Sequence, residues 1–232
     1  MKKNLSPQSA AKLIEINNFV DSVSSFEMPR VFNPYRDSCP VHDDSKSALL
    51  RRENLKNYLV SAFEKNPECL WVGRDLGYRG GRRTGIPLTD EPHLSALAQV
   101  FPSLNLSKAT RTNLVVERTA AEIWRVISRL DEAPFLWNIF PFHPFDSADP
   151  MGNRCHTRDE YKECAWILER LLGIFNFKKV FSLGNDAARV FRKYDIEMVC
   201  VRHPSYGGQN EFRRTMEIEY GTKCRSSQSE LF

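Results

Sequence analysis

The sequence predicts an α/β fold, a three-layer α/β/α sandwich around a central four-stranded parallel sheet. Short apolar runs alternate along the chain with longer segments of helical spacing, which is typical of a parallel sheet with helices on both faces. The chain has 232 residues, of which 41% are hydrophobic and 27% charged, enough for a sizeable core. No run approaches the roughly 20 apolar residues of a membrane span, so we expect no membrane association.

The first 65 residues are predicted to form a helical segment that packs on the core. Two stretches in it have helical spacing, residues 8–24 and 46–66, and the loop between them is rich in Pro, Asn and Asp. The core follows at residues 66–222. The last residues, 223–232, form a polar tail that we expect to be mobile.

The core contains four apolar runs that we predict as strands. They cover residues 69–73, 135–140, 179–183 and 197–202. Five helices are predicted between and after these strands, at residues 93–100, 119–131, 158–173, 186–194 and 209–220. Thr119, Thr157 and Asn185 stand where N-cap residues are expected, because their side chains can accept hydrogen bonds from unpaired backbone N–H groups.

The net charge bears on the kind of partner, and the cysteine content bears on the redox state of the compartment. The formal net charge is +4 at pH 7, which permits an anionic partner. The six cysteines form no C-x-x-C pair and no disulfide framework, and the N-terminus lacks the apolar stretch of a signal peptide. We therefore expect a reducing, cytoplasmic setting.

Polar side chains stand at the ends of all four predicted strands. Asp75 follows the first strand, Asn138 lies within the second, Gly184 and Asn185 follow the third, and His203 follows the fourth. Ligands of open parallel sheets bind beyond the carboxyl ends of the strands, so we expect one composite site. Each residue alone has a structural alternative: Asp75 as a cap, Asn138 bonded to backbone, His203 as a core histidine.

Motifs for nucleotide cofactors and metals are missing from the sequence. The segment Gly77–Gly80 lacks the G-x-G-x-x-G pattern, and no phosphate-binding lysine loop is present. The histidines and cysteines do not have the spacing of zinc ligands. We expect neither a metal nor a cofactor.

Three segments together resemble the uracil-DNA glycosylase superfamily over roughly residues 66–220. The loop after the first strand is similar to G-x-N-P-G-x-x-G-x-x-x-T-G-x-P-F of the single-strand-selective branch. Its matching positions are Gly73, Gly77, Gly80, Thr84, Gly85 and Pro87. The stretch from Asn138 to residues 183–188 is similar to the iron–sulfur branch, and residues 203–205 match the H-P-S motif of the superfamily.

This resemblance implies a monofunctional DNA glycosylase that flips a pyrimidine out of DNA and cleaves its N-glycosidic bond. Asp75 and His203 are the implied catalytic residues, and Asn138 the reader of the base edge. Three further residues would line the base pocket: Gly77, Tyr78 and Leu88. The predicted DNA contacts come from basic, polar and aromatic side chains: Arg79, Arg82, Arg83, Ser205, Tyr206, Gln209, Arg213 and Arg214.

Departures from the family pattern bear on substrate and cofactor. Gly77 stands where the uracil-specific branch has a tyrosine that blocks C5 substituents, and Leu88 replaces the family's base-stacking phenylalanine. We therefore expect a widened pocket with an open wall at Gly77. Of the cysteines that bind the iron–sulfur cluster only Cys164 has a counterpart, so no cluster is expected.

The leading hypothesis is removal of a C5-modified pyrimidine, such as hydroxymethylated or glucosylated cytosine in phage DNA, as an antiviral defence. Repair of uracil or 5-hydroxymethyluracil is the alternative within the same chemistry. A glycosylase-like module that only binds DNA is the alternative of another class, and the presence of Asp75, Asn138 and His203 argues against it. We expect a monomer whose partner is DNA.

Overall fold

The computed structural model describes residues 7–221 and confirms the predicted three-layer α/β/α architecture. The helices are α1 (Pro7–Ser25), α2 (Ser47–Lys65), α3 (Gly81–Thr84), α4 (Leu94–Val100), α5 (Arg118–Ile127), α6 (Arg158–Ile174), α7 (Asn185–Phe191) and α8 (Gln209–Tyr220), with a 3₁₀ turn at Glu91–His93. The strands are β1 (Val31–Phe32), β2 (Cys69–Asp75), β3 (Phe135–Phe140), β4 (His143–Pro144), β5 (Lys179–Leu183) and β6 (Glu197–Val201). None of these helices has the length and apolar character needed to cross a membrane. The predicted tail at residues 223–232 lies outside the described residues.

The central sheet has four parallel strands in the order β3-β2-β5-β6. Trp137 of β3 is aligned with Val72 of β2, so Trp137 and its neighbour Trp71 point to opposite faces. The Trp137 ring lies 6.1 Å from Phe19 of α1, and the Trp71 ring lies 6.1 Å from Phe212 of α8. Both tryptophans are fully buried, so helices cover both faces of the sheet.

Helix α2 closes the free edge of β3. The hydroxyl of Tyr58 accepts a hydrogen bond from the backbone N–H of Leu136 at 2.7 Å, and the Tyr58 ring stacks on Phe135 at 4.8 Å. A backbone edge that could pair with another strand is thereby covered. Helices α1 and α2 share one hydrophobic core with the sheet; the division of the chain at residue 65 stays a prediction.

The strands differ from the sequence prediction at the end of β2 and in the presence of β1 and β4. Strand β2 continues to Asp75, so this carboxylate lies on the last residue of a strand and its backbone is held by the sheet. Strand β1 lies in the predicted loop between the first two helices, and β4 follows the predicted strand at residues 135–140; β1 and β4 pair antiparallel. These two-residue strands are too short to show a periodic sequence pattern.

The helix starts confirm one of the three predicted caps. The Thr157 hydroxyl accepts from the backbone N–H of Glu160, and the Glu160 carboxylate accepts from the backbone N–H of Thr157, which completes a capping box. Thr119 lies inside α5, which begins one residue earlier. Asn185 is the first residue of α7 and its predecessor Gly184 occupies the cap position.

A buried ion pair fixes the 30–45 segment against α2, and a tyrosine of that segment holds the loop after β2. The guanidinium group of Arg51 on α2 donates hydrogen bonds of 2.8 and 2.7 Å to the carboxylate of Asp43, and both side chains are fully buried. Arg51 also donates to two backbone carbonyls of the 30–45 segment. Beside it, the Tyr35 hydroxyl donates to the backbone carbonyl of Gly85 at 2.9 Å. The two segments are thus held as one unit.

Replacing Asp43 with alanine should lower the free energy of unfolding by about 3–5 kcal/mol, because Arg51 would stay buried without its counter-charge. Urea denaturation followed by tryptophan fluorescence measures the change. Glu27→Ala is the control: Glu27 pairs with Arg36 at the surface, and loss of an exposed pair costs about 0–1 kcal/mol. Equal effects of the two substitutions would contradict this account.

Candidate active site

The carboxyl edge of the sheet brings the predicted strand-end residues together. β3 carries Asn138 beside β2, which ends at Asp75. Arg74 connects two elements: Nε donates to Asp75 Oδ2 at 2.6 Å and Nη1 donates to Asp186 Oδ2 on α7 at 2.9 Å. His203 follows β6 and lies within electrostatic range of Arg74. The composite arrangement expected from the strand ends is therefore present.

Asp75 is sheltered, and both of its carboxylate oxygens are engaged. Its side chain is 8% exposed, Oδ2 accepts from Arg74, and Oδ1 contacts Nδ1 of His156. Because a carboxylate only accepts, Nδ1 of His156 is the donor. The His156 ring stacks on Phe140, with ring centroids 4.9 Å apart. These contacts fix the orientation of the carboxylate at the end of β2.

His156 is absent from the site predicted by the sequence. An isolated histidine in the 141–157 segment forms no motif, so nothing in the pattern connects it with Asp75. The one available indication is its place directly before Thr157. The capping box of Thr157 fixes the start of α6, and with it the position of the residue before the cap.

His203 is a neutral imidazole with a defined tautomer. Burial, reinforced by the charges of Arg74 and Arg202, lowers its pKa from 6.5 to about 4. The backbone N–H of Ser205 donates to Nδ1 at 3.2 Å, and the Ser205 hydroxyl lies 2.7 Å from the same atom. Because Nδ1 accepts, the proton lies on Nε2. That N–H can donate a hydrogen bond to a ligand.

Asn138 presents an unpaired amide oxygen within β3. The residue is 1% exposed, and Oδ1 has no hydrogen-bond partner among residues 7–221. Gly73 makes room for the amide: a Cβ atom at Gly73 would lie 2.6 Å from Oδ1 and 3.0 Å from Cδ2 of Leu88. A buried polar atom without a partner is costly. A ligand that brings a hydrogen-bond donor would satisfy it.

Leu88 forms the adjoining wall in a left-handed backbone conformation. Its φ angle is +57°, which is uncommon for a residue with a side chain. The side chain is buried and reaches the space beside Gly73 and Asn138. Backbone strain of this kind is concentrated at functional sites. The predicted contact of Leu88 with a base stays a prediction.

The expectation of an open wall at Gly77 is wrong. A side chain at Gly77 or at Gly80 would overlap the carboxyl group of Glu117, which comes from the residue before α5. The space beside Gly77, which the sequence predicts to be open, is therefore occupied by a carboxyl group from a distant part of the chain. No motif includes Glu117, so the sequence analysis missed it.

Arg82 and Arg83 do not belong to an exposed basic rim, contrary to the sequence prediction. They are 3% and 5% exposed. The Arg82 guanidinium lies 4.1 Å from the ring centroid of Phe32 and donates to the carbonyl of Pro150 at 2.6 Å. Arg83 pairs with Glu91 at 3.0 Å. Both side chains support the loop from inside, and we exclude them from the candidate DNA surface.

The other predicted arginines differ in their exposure and pairing. Arg79 is exposed and lies over the ring of Tyr78 at 5.2 Å, with Nε donating to the Tyr78 hydroxyl at 2.6 Å. On α8, Arg213 donates to Glu122 at 2.8 Å. Arg214 is exposed and makes no hydrogen bond to the described residues. Arg79 and Arg214 are thus the better placed of these cations for a phosphate.

The loop after His203 carries an exposed aromatic side chain. Tyr206 is 97% exposed and has a φ angle of +50°. Ser205, predicted to contact phosphate, directs its hydroxyl and its backbone N–H to His203. Gln209 begins α8 and is half-buried. The DNA contacts of these residues stay predictions.

The cysteines of the described range are free thiols at positions 39, 69, 155, 164 and 200. Cys164, the one residue with a counterpart among cluster ligands, is fully buried in α6, and burial raises the pKa of its thiol to about 12. Within residues 7–221 no group of His, Cys, Asp and Glu side chains is arranged to hold a metal ion.

Comparison with known proteins identifies the superfamily and agrees with the fold. The family model for the uracil DNA glycosylase superfamily matches residues 60–221, so the chain belongs to this superfamily. The fold is similar to the crystal structure of wild-type SMUG2 from Pedobacter heparinus, with a TM-score of 0.62, 15% sequence identity and coverage of 90% of this chain and 97% of that chain. A search of curated proteins by sequence finds no match. The protein is a DNA glycosylase, a hydrolase of N-glycosyl bonds.

Acid should destabilise the protein in part through His203. Its pKa is lowered to about 4 on folding, so the unfolded chain binds a proton first. Stability is therefore lost as the pH falls from about 6.5 towards about 4 and is fully present above that window. Urea unfolding between about pH 7.5 and pH 4.5 measures the loss. His203→Asn should flatten the curve in this window, and an unchanged slope would contradict the assignment.

Proposed function

We propose that the protein excises a flipped-out pyrimidine from DNA and leaves an abasic site, as a monomer in the reducing cytoplasm. One observation carries the proposal: a fixed carboxylate, a neutral imidazole and an unpaired amide oxygen lie at one edge of the sheet, on Asp75, His203 and Asn138. Cleavage of an N-glycosidic bond needs a carboxylate at the sugar, a hydrogen-bond donor at the leaving base and a polar group that binds the base edge.

In this proposal Asp75 acts on the sugar. Breaking the N-glycosidic bond builds positive charge on the deoxyribose, which a nearby carboxylate stabilises. Because Arg74 and His156 hold the two oxygens, the carboxylate need not reorient as the charge develops. Each oxygen keeps a further lone pair, and Asp75 can use it to orient the attacking water.

His203 acts on the leaving base. Negative charge develops on a base oxygen as the bond breaks, and a preorganised donor aimed at that oxygen lowers the barrier. The Nε2–H group of the neutral imidazole is such a donor. Ser205 holds Nδ1, which keeps the proton on the nitrogen that faces the ligand.

Asn138 and Leu88 hold the base. The unpaired Oδ1 atom of Asn138 can accept from the ring N–H of a uracil-type base or from the amino group of a cytosine-type base. The amide identity therefore suits both kinds of pyrimidine. Leu88 supplies an apolar surface on which the ring can pack.

We propose a pyrimidine with a polar C5 substituent as the substrate. The wall beside Gly77 is formed by the Glu117 carboxyl group, which can hydrogen-bond a hydroxyl on such a substituent. A role in antiviral defence rests on this choice of substrate. Uracil repair is the second candidate. The Glu117 carboxyl group fills the space beside Gly77, and a pocket closed at this wall fits a base without a C5 substituent.

Tyr206 is the residue that we propose to occupy the gap left by the flipped nucleotide. An aromatic ring stacks on any base, with about 1–3 kcal/mol per base. Tyr206 is almost fully exposed on the loop that carries His203, so it can enter the duplex beside the active site.

Asp75→Ala should cut the single-turnover excision rate by about 10² or more while DNA affinity stays nearly unchanged, because the carboxylate acts mainly in the transition state. Oligonucleotides with uracil, 5-hydroxymethyluracil, 5-hydroxymethylcytosine and glucosylated cytosine are incubated with enzyme, and abasic sites are cleaved with alkali. Asp159→Ala, at an exposed carboxylate that pairs with Lys162, is the control. Wild-type rates in Asp75→Ala, or no excision by the wild type, would overturn the proposal.

Arg214→Gln should weaken DNA binding and reduce the slope of log affinity against log salt by about 0.7–0.9, which is the effect of one phosphate contact. Fluorescence anisotropy from low to high salt measures the slope. Lys178→Gln is the control, since Lys178 precedes β5 at the opposite edge of the sheet and is exposed. Equal slopes for Arg214→Gln and the wild type would exclude this contact.

A further inference from the structure

The carboxyl group of Glu117 lies in the space that two glycines of the active-site loop leave open. A Cβ atom at Gly77 would overlap Oε1 of Glu117, and a Cβ atom at Gly80 would overlap Oε2. Any other residue at either position would displace the carboxyl group. The loop is therefore shaped to receive this side chain.

Glu117 is fixed between the two ends of the pocket loop. Its backbone N–H donates to Asp90 Oδ2 at 2.7 Å, and Asp90 lies two residues after Leu88, which packs beside Asn138. At the other end, Gly77 lies two residues after Asp75. The carboxyl group is thus positioned by the same loop that carries the residues of the proposed pocket.

This carboxyl group has no partner in the described part of the chain. It makes no hydrogen bond and no ion pair with residues 7–221. Burial and the negative charge of Asp90 raise the pKa of Glu117 to about 7, although the positive charge of Arg79 lowers it in part. A sheltered polar group without a partner costs stability unless a ligand supplies the missing hydrogen bond.

We infer that Glu117 selects the base: its carboxyl group hydrogen-bonds a hydroxyl on the C5 substituent of the flipped pyrimidine. The inference rests on the proposed function and names the residue that would give it its specificity. A site built around a hydrogen bond rejects an analogue that lacks the bonding group, because its own polar atom is then left unpaired. A methyl group in the same place would fill the space without bonding.

The experiment compares three bases in otherwise identical oligonucleotides: uracil, thymine and 5-hydroxymethyluracil. Single-turnover rates are measured for the wild type, Glu117→Ala, Glu117→Gln and the control Glu53→Ala, which removes an exposed glutamate of α2. For each enzyme the rates for thymine and 5-hydroxymethyluracil are divided by the rate for uracil. A thermal melt of each variant reports its folding.

In Glu117→Ala the ratio for 5-hydroxymethyluracil should fall about tenfold or more, the usual effect of losing a hydrogen bond to a charged or ionisable group. The ratio for thymine should stay the same or rise. Glu117→Gln keeps a hydrogen-bonding amide of the same size, so its ratio should lie between those of the wild type and the alanine variant. Glu53→Ala should match the wild type.

Three results would overturn the inference alone. Both ratios could rise together in Glu117→Ala, which would make Glu117 a steric barrier. All three rates could fall in parallel with a lower melting temperature, which would make it a structural residue. The ratios could also stay unchanged. A wild-type enzyme that excises none of these three bases would overturn the inference, and one that also leaves 5-hydroxymethylcytosine and glucosylated cytosine intact would overturn the proposed function as well. Asp75→Ala with wild-type rates would overturn the catalytic assignment separately.

Discussion

The buried ion pair between Arg51 and Asp43 fixes the segment that holds the loop after β2, and this loop forms part of the candidate active site. Charges removed from water are tolerated only when they are paired and fully hydrogen-bonded. The ion pair therefore restricts the 30–45 segment to one arrangement against α2. That segment in turn holds the loop after β2 through Tyr35 and Gly85. Both charged residues precede residue 60, where the family match begins. The region matched by the family model is therefore supported by residues that lie before it in the chain.

The fold and the centre of the site could be predicted from the sequence because both follow from local patterns. Apolar runs of five or six residues place the four strands, and parallel topology then places the strand ends at one edge. This topology is sufficient to predict the positions of Asp75, Asn138 and His203, since each lies at or near the end of a strand. The capping box at Thr157 is also local, because cap and partner lie within one turn.

The residues that the sequence could not place depend on contacts between distant segments. His156 reaches Asp75, and Glu117 reaches Gly77, only because loops fold back over the sheet edge. The number of arginines in a loop gives its charge but not their burial, and Arg82 and Arg83 are buried. Gly77 is a further example of a contact between distant segments. Its sequence position shows that no side chain is present there, but only the structure shows that Glu117 fills the space.

The left-handed backbone at Leu88 has a consequence for how the enzyme can evolve. A residue with a side chain costs about 1–2 kcal/mol in that conformation, and glycine would relieve the cost. Glycine would also remove a buried leucine side chain from the hydrophobic core, and truncating a buried leucine costs about 2–5 kcal/mol. The loss exceeds the relief, so the folded protein is more stable with the strained backbone than without the side chain. The wall beside Asn138 and the packing of the core therefore depend on the same residue, and position 88 cannot relax its backbone without giving up both.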